Sequence, residues 1–219
     1  RNVKALILAP TRELAIQIGE SFRDYGKNSK LRSAVIFGGV SQHKQVNQLS
    51  AGVDILIATP GRLLDLMQQG FITLQHITHF VLDEADRMLD MGFIHDIKKV
   101  LAKLPKNKQT IFFSATVSPE IKQLAGTLLF DPANVQVDPI SSTAELVSQT
   151  LYYVEKEEKR SMLKRVIEKE NIEHALVFTR TKHGADRVAK ELNKVGIRSE
   201  AIHGNKSQNA RERALKGFK

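Results

Sequence analysis

Short apolar runs alternate along the chain with longer segments in which apolar residues recur every three or four positions. The short runs are typical of buried strands, and the longer segments are typical of amphipathic helices. The first half of the chain contains five predicted strands, at residues 5–9, 33–37, 54–58, 80–82 and 110–113. Helices are predicted after the first strand, where Leu14, Ile18 and Phe22 share a face, and near residues 63–69, 94–104 and 119–129. This alternation predicts an α/β fold with a parallel sheet.

The alternation is interrupted over residues 131–146, where Pro132, Pro139 and a Ser-Ser-Thr cluster break the helical spacing. A short strand followed by a linker is predicted there, with a domain boundary near Pro139. We therefore predict a first domain at residues 1–138, a linker at 139–147 and a second domain at 148–219. The second domain has predicted strands at 148–154, 175–178 and 199–202 and predicted helices at 159–170, 184–195 and 208–218. The sequence thus predicts the same architecture in both halves, and the second predicted domain ends before its set of strands and helices is complete.

Composition and charge limit the class of protein. A chain of 219 residues with 42% hydrophobic residues can bury a core. No apolar run approaches the roughly 20 residues that a membrane helix needs. The absence of cysteine excludes disulfides, thiolate zinc sites and a cysteine nucleophile, and it fits a reducing cytoplasm. The formal net charge of +9 favours a polyanionic partner, although a merely solvated basic surface gives the same number.

Three carboxylates follow the fourth predicted strand, at Asp83, Glu84 and Asp86. Carboxylates at the end of a strand suit a hydrated Mg²⁺ ion and an attacking water. An acidic helix start, where Asp and Glu interact favourably with the helix dipole, explains the same residues without any ligand. The cluster alone does not separate these two interpretations.

Small, hydroxylated and basic residues follow the other strands. Ligands of open α/β sheets bind at the carboxyl ends of the strands. Thr11 and Thr59 can cap helices and leave free N–H groups for an anion, glycines allow a backbone to approach, and arginine can fork onto phosphate oxygens. Ordinary turn chemistry explains each of these positions taken alone. Their repetition at one edge favours a phosphodiester backbone as the partner.

Five short motifs stand at the ends of the predicted strands. They are Pro10-Thr11-Arg12-Glu13-Leu14, Phe37-Gly38-Gly39, Thr59-Pro60-Gly61-Arg62, Asp83-Glu84-Ala85-Asp86 and Ser114-Ala115-Thr116. Their order and approximate spacing resemble those of the DEAD-box ATP-dependent RNA helicases. The resemblance continues through residues 177–182 and 203–208 and covers essentially the whole chain. Around residues 87–93 and 179–184 the chain is most similar to the bacterial RhlE-type subgroup.

The resemblance implies two RecA-like domains joined by a flexible linker, with ATP and Mg²⁺ in the cleft between them and single-stranded RNA across both. Closure of the cleft would separate a short RNA duplex locally. Asp83 would hold Mg²⁺ through water, Glu84 would orient and deprotonate the attacking water, and Asp86 would contact Ser114 and Thr116. The implied RNA contacts are Pro10, Thr11, Arg12, Gly38, Gly39, Thr59, Pro60, Gly61 and Arg62 in the first domain, and Arg180, Gly204, Gln208 and Arg211 in the second.

The sequence also departs from the family. A helicase needs a phosphate-binding loop of the form G-x-x-x-x-G-K-[ST], and this chain contains none. The segment Gly204-Asn205-Lys206-Ser207 has the wrong spacing and lacks the second glycine. The adenine-recognising element and the late arginine-rich motifs are missing as well, and the chain starts with Arg1 rather than methionine. We therefore expect an internal piece of a longer cytoplasmic helicase, with both domains incomplete, that does not turn over ATP at a useful rate by itself.

Three alternatives stay open. A metal hydrolase or nuclease could use Asp83, Glu84 and Asp86 with His79 or His95, although the sequence has no H-E-x-x-H pattern. A DNA-acting relative is possible because one contact to a 2′-hydroxyl leaves no mark in a sequence. A non-catalytic, basic RNA-binding scaffold would keep the fold without the chemistry. Since tryptophan is absent and most Phe lie in strands or apolar faces, any nucleic acid would be held by its backbone, with low sequence specificity.

Overall fold

A computed structural model describes residues 1–136 and 147–218. The chain divides into two compact units, Arg1–Ala133 and Asn134–Lys219. Of the predicted linker at 139–147, all but Val147 falls outside the described residues, as does the predicted boundary near Pro139. The predicted domain limits therefore stay a prediction.

The first unit is built on a parallel five-stranded sheet with the strand order β2-β3-β1-β4-β5. Its strands are β1 Ala5–Leu8, β2 Ser33–Ile36, β3 Ile55–Ala58, β4 His79–Leu82 and β5 Gln109–Phe112. Its helices are α1 Arg12–Tyr25, α2 His43–Ser50, α3 Pro60–Gln68, α4 Ala85–Asp90, α5 Ile94–Leu101 and α6 Pro119–Leu128. The five predicted strands are confirmed to within one residue at each end, and the α/β class is confirmed with them.

The register of the sheet brings the ends of all five strands level. Leu8 at the end of β1 pairs with Ala58 of β3 on one side and with Leu82 of β4 on the other. Ile36 pairs with Ala58, and Leu82 pairs with Phe112. The loops that follow the strands therefore emerge together along one edge of the sheet. We call this edge, formed by the residues directly after β1 to β5, the carboxyl edge.

Apolar residues on both faces of the strands build two hydrophobic clusters, as parallel strands covered by helices require. Leu6 and Leu8 of β1 belong to the larger cluster, into which α3, α4, α5 and α6 bury apolar residues. Ile7 alternates with them and belongs to the smaller cluster, which contains Ala15 of α1. Core packing therefore fixes the starts of α3, α4 and α6, which follow β3, β4 and β5 at the carboxyl edge.

Two helices of the first unit, α2 and α4, were not predicted. Helix α2 has only two apolar residues, Val46 and Leu49, and α4 is six residues long, so neither shows a clear apolar period. The predicted cap at Thr11 is formed, because its side chain accepts a hydrogen bond from the Leu14 N–H at 3.2 Å. The predicted cap at Thr59 is wrong, since its buried side chain makes no capping hydrogen bond. Pro60, which has no N–H, starts α3 instead.

In the described part of the second unit, three helices form: α7 Lys159–Lys169, α8 Lys182–Lys194 and α9 Gln208–Phe218. These confirm the three predicted helices to within two residues. The strands predicted at 148–154, 175–178 and 199–202 are not formed, nor is a strand present over residues 132–136. Tyr153 and Phe178 are each 90% exposed. A β-rich run becomes a strand only where a neighbouring backbone takes up its hydrogen bonds and buries its side chains.

Within residues 1–136 and 147–218, no helix is long and apolar enough to cross a membrane.

Candidate nucleotide and nucleic-acid site

The acidic cluster lies on the carboxyl edge between β1 and β5. The Asp83 N–H donates to the carbonyl of Leu8 at 3.0 Å, which continues the pairing of β4 with β1. On the other side, the Ala85 N–H donates to the carbonyl of Phe113 at 3.0 Å, directly after β5. Backbone bonds to both neighbouring strands therefore fix the position of the segment from Asp83 to Ala85.

Glu84 has an unusual backbone conformation. Its φ of 48° and ψ of 53° place it in the left-handed region, directly before α4. A residue with a β-carbon pays about 1–2 kcal/mol for this conformation, and such strain is found most often at functional sites. The Glu84 carboxylate remains accessible and forms an ion pair of 3.2 Å with the guanidinium of Arg87, one turn along α4. The strained turn holds a charged carboxylate at the edge rather than inside the core.

Asp83, like Glu84, is half-buried. Desolvation raises the pKa of Asp83, and the neighbouring Glu84 charge acts in the same direction, while a hydrogen bond from the Glu84 N–H at 2.9 Å opposes them. One carboxylate of this kind fits Mg²⁺, which keeps several of its waters and takes only one or two protein carboxylates together with phosphate oxygens.

The metal-hydrolase alternative gains no support from the described residues. Among them, no three His, Cys, Asp or Glu side chains come together as a metal-binding group. His79 lies at the start of β4 rather than its end, and its Nδ1 is 2.9 Å from the Thr78 hydroxyl. The side chain of His79 is therefore at the opposite end of the strand from Asp83.

Asp86 connects the acidic cluster to the segment after β5. One carboxylate oxygen, Oδ2, accepts hydrogen bonds from the backbone N–H and from the hydroxyl of Thr116, each at 3.0 Å. Partial desolvation would raise the pKa of Asp86, but these bonds and one from the Arg87 N–H together hold it below its usual value. The Ser114 hydroxyl donates to the Thr116 carbonyl at 2.8 Å and closes the turn. The structure thus brings Asp86, Ser114 and Thr116 together.

Arg12 and Gly39 bring the loops after β1 and β2 together. Gly39 has a φ of 78°, which glycine adopts without strain. A β-carbon built on Gly39 would lie 2.3 Å from Nη1 of Arg12, so the guanidinium lies directly against the glycine. The exposed backbone of Gly39 and the charge of Arg12 therefore occupy the same part of the carboxyl edge.

Arg62 connects the loops after β2 and β3. Its Nη2 donates to the Val40 carbonyl at 3.1 Å, and its Nη1 donates to Oε1 of Gln45 at 3.1 Å. Its Nε lies 3.5 Å from the Asp65 carboxylate, and the side chain is only 11% exposed. These contacts hold the guanidinium in one orientation beside the Gly-Gly loop.

The other predicted residues of the first unit differ in how far they reach solvent. Gly61 is exposed, and Thr11 and Gly38 are half-buried. Pro10, Thr59 and Pro60 are buried. The buried three lie in the turns at the strand ends.

In the second unit, Arg180 and Gly204 are exposed. Gln208 is buried, and its amide donates to Glu212 at 3.0 Å and accepts from Arg211 at 3.3 Å. Both partners lie on α9 with Gln208. Direct RNA contact by the Gln208 amide would require these bonds to be exchanged.

The segment that carries Gly204 is held by Asp186 of α8, a residue that the sequence analysis did not identify. Its carboxylate lies 2.8 Å from Nζ of Lys206 and 3.1 Å from Nε2 of His203. The Asn205 N–H donates to Nδ1 of His203, so a neutral His203 carries its proton on Nε2, facing Asp186. Asp186 therefore fixes the loop on both sides of Gly204.

Comparison with known proteins agrees with this arrangement. The family model described as DEAD/DEAH box helicase matches residues 1–124, and the model described as helicase conserved C-terminal domain matches residues 158–219. The DEAD-box ATP-dependent RNA helicase CshA of Streptococcus pneumoniae serotype 4 is 40% identical over 100% of this chain and 42% of its own length. The RNA helicase CrhR of Synechocystis is 42% identical over 100% of this chain and 44% of its own length.

A solved structure resembles the chain as well. The crystal structure of a DEAD box protein from the hyperthermophile Methanococcus jannaschii has 35% sequence identity and a TM-score of 0.59, covering 100% of this chain and 58% of that one. The chain spans less than half the length of CshA and of CrhR, at 42% and 44%. Since one family model covers more than half of the residues, including the acidic cluster and the other four loops of the carboxyl edge, the chain belongs to the DEAD/DEAH box helicase family.

Proposed function

We propose that the protein is an ATP-dependent RNA helicase, an RNA-stimulated ATPase that separates short RNA duplexes. The observation that carries this proposal is the Asp86–Thr116 contact on the carboxyl edge, in the row of loops that also holds Arg12 and Arg62. Carboxylates suited to phosphate chemistry and cations suited to a phosphodiester backbone thus share one rigid sheet edge. The names of CshA and CrhR support RNA as the substrate.

The acidic cluster would provide the ATPase chemistry. Asp83 would hold Mg²⁺ through water, and Glu84 would orient the attacking water and accept its proton. When bound, the metal ion would stabilise the charge that develops in phosphoryl transfer, an effect worth several kcal/mol. A movement of Asp86 caused by the nucleotide would also move the segment of Ser114 and Thr116, because the N–H and the hydroxyl of Thr116 both bond to one carboxylate oxygen of Asp86.

The neighbouring loops would hold RNA by its phosphates. Arg12 and Arg62 present guanidinium groups that can bind phosphate oxygens in a fork. Gly39 and Gly61 are exposed, so a nucleic-acid strand can approach the backbone there. Thr11, Gly38 and the buried Pro10, Thr59 and Pro60 would shape these loops. Contacts of this kind carry no base information, so we expect low sequence specificity.

Several finer predictions belong to the same proposal. Arg180, Gly204 and Arg211 of the second unit would contribute further phosphate contacts, with Gln208 holding Arg211. The RhlE-type subgroup, the cytoplasmic location and the domain limits at residues 138 and 148 stay predictions. The 219 residues contain no phosphate-binding loop motif, and we expect that they do not turn over ATP by themselves.

The test is ATP hydrolysis by the complete product of the gene, with and without single-stranded RNA. We expect RNA to stimulate hydrolysis and Glu84→Gln to abolish the stimulated rate. Glu20→Gln, at an exposed position of α1, is the matched control and should leave the rate unchanged. Binding of RNA without any ATPase activity would identify a non-catalytic scaffold. Equal stimulation by DNA of the same sequence would identify a DNA-acting relative.

A further inference from the structure

Gln45 is a buried polar residue in a helix that is otherwise largely polar and solvent-facing. Only 6% of Gln45 is exposed, and no other residue of α2 is buried. Its Nε2 donates to the Phe37 carbonyl at 3.0 Å, and its Oε1 accepts from the Phe37 N–H at 3.3 Å. Oε1 also accepts from Nη1 of Arg62 at 3.1 Å. Buried polar groups are normally hydrogen-bonded, and these three bonds join the Gln45 side chain to two residues, Phe37 and Arg62.

The two partners of Gln45 belong to different loops of the carboxyl edge. Phe37 comes directly before Gly38 and Gly39, in the loop after β2. Arg62 lies in the first turn of α3, after β3. The paired bonds to Phe37 imitate the pairing of one further strand residue after Ile36, and the third bond fixes the guanidinium of Arg62. The Gln45 side chain therefore connects the loop after β2 to the first turn of α3.

We propose that Gln45 is a positioning residue for the bound phosphodiester backbone, acting through Arg62 and the Gly38–Gly39 backbone. The proposal rests on the RNA-binding function given above. An arginine has five N–H donors. Arg62 uses one from each terminal nitrogen on Gln45 and Val40, and its Nε lies 3.5 Å from the Asp65 carboxylate. The remaining donors of the same fork are then held in a fixed orientation. Fixing a binding group before the ligand arrives increases affinity because less freedom is lost on binding.

An amide suits this position better than the side chains closest to it in size. A carboxylate at residue 45 could accept from Arg62 and from the Phe37 N–H, but it could not donate to the Phe37 carbonyl and would neutralise the arginine. A methionine would fill the volume and make none of the three hydrogen bonds. The two variants Gln45→Glu and Gln45→Met therefore remove different parts of the proposed role.

The experiment measures binding of a labelled single-stranded oligouridine RNA to the 219-residue chain at several salt concentrations. We expect Gln45→Met to weaken binding about tenfold, in line with the loss of hydrogen bonds to a charged group. The slope of log affinity against log salt should fall by about 0.7, the value for one phosphate contact on a single strand. Gln45→Glu should lower the slope similarly because the carboxylate neutralises Arg62.

The matched control is Gln42→Met. Gln42 precedes α2, and its amide bonds to Gln69 rather than to either loop glycine or arginine. This variant should change the RNA affinity by no more than about twofold and should leave the salt slope unchanged. In an Arg62→Ala background, Gln45→Met should produce no further loss of slope, a result that a purely structural role for Gln45 would not give.

An unchanged salt slope in both Gln45 variants, or an equal further loss in the Arg62→Ala background, would overturn the proposal for Gln45 while leaving RNA binding intact. Absence of RNA binding by the unmodified chain would instead overturn RNA binding by this edge, and the role of Gln45 with it. Circular dichroism melting of each variant separates a loss of fold from a loss of position.

Discussion

Asp86 and Thr116 are joined by two hydrogen bonds that end on the same carboxylate oxygen, one from the backbone N–H and one from the hydroxyl of Thr116, each 3.0 Å long. The two residues follow neighbouring strands of the sheet, Asp86 after β4 and Thr116 after β5. The bond from the Thr116 N–H fixes the position of the backbone at Thr116, and the bond from the Thr116 hydroxyl fixes the rotamer of that side chain. A displacement of Asp86 would therefore move the turn of Ser114 and Thr116 with it.

Thr116→Val tests this connection directly. The valine keeps the branched shape and the backbone N–H but removes the hydroxyl donor. Since the hydroxyl helps to hold the pKa of Asp86 low while desolvation acts in the opposite direction, the variant should raise that pKa. Carbon-detected NMR titration of the Asp86 carboxyl measures the change. Thr127→Val, whose hydroxyl bonds to Leu124 within α6, should leave the Asp86 titration where it was.

Gly39→Ala tests the contact between the loops after β1 and β2. The new methyl group would overlap the end of the Arg12 side chain, which is flexible enough to move away at little cost in stability. Gly70→Ala is the matched control, because Gly70 has a φ of 80° against 78° for Gly39, and no described atom outside its chain neighbours lies within 4 Å of its added β-carbon.

Both alanine variants should lose a similar amount of stability, about 1–2 kcal/mol, from the left-handed backbone alone. Only Gly39→Ala should also weaken the binding of single-stranded RNA, because Arg12 is displaced. Denaturation and RNA titration of the two variants measure the two effects separately. Equal RNA affinity in both variants would show that the position of Arg12 does not matter for binding.

Asp186 predicts an acid-dependent loosening of the loop around Gly204. The contacts with Lys206, and then with His203, hold the pKa of Asp186 below its ordinary value of 3.8. A lowered pKa means that the carboxylate contributes stability that is fully present above pH 3.8 and is lost as the pH falls through the lower, folded-state value.

The amide chemical shifts of Asn205 and Lys206, followed from pH 7 to pH 2, measure this effect. The unmodified chain should show a transition with a midpoint below 3.8 that Asp186→Asn lacks. Glu168→Gln, which removes an exposed ion pair with Lys164 within α7, should keep the transition. A midpoint above 3.8 in the unmodified chain would contradict the assignment of these partners.

The strands of the first unit could be predicted well because buried parallel strands appear in a sequence as nearly continuous apolar runs. Ala5–Leu8 and Ile55–Ala58 are such runs, and polar turn residues mark their ends. Once the strands are parallel, the residues after them must share one edge, so the row of Arg12, Asp83 and Ser114 followed from the pattern.

The other features of the fold and the site depend on side-chain contacts that cannot be read from the sequence. Gln45 and Asp186 look like ordinary surface residues of polar helices, and only the folded chain shows the partners that they hold. Thr59 precedes a helix just as Ser118 does, and both are followed by proline, yet only Ser118 makes the capping hydrogen bond, a difference that the sequence does not show. The strands predicted at 148–154, 175–178 and 199–202 had the right composition, but a strand also needs a paired neighbour, which composition does not specify.

The central claim is that the carboxyl edge of the first unit holds a nucleic-acid backbone, and the salt dependence of RNA binding tests it most directly. Arg12→Ala and Arg62→Ala should each lower the slope of log affinity against log salt by about 0.7. Arg23→Ala, in the last turn of α1, is the control and should keep the slope of the unmodified chain. Slopes that do not differ among all four proteins would contradict the claim.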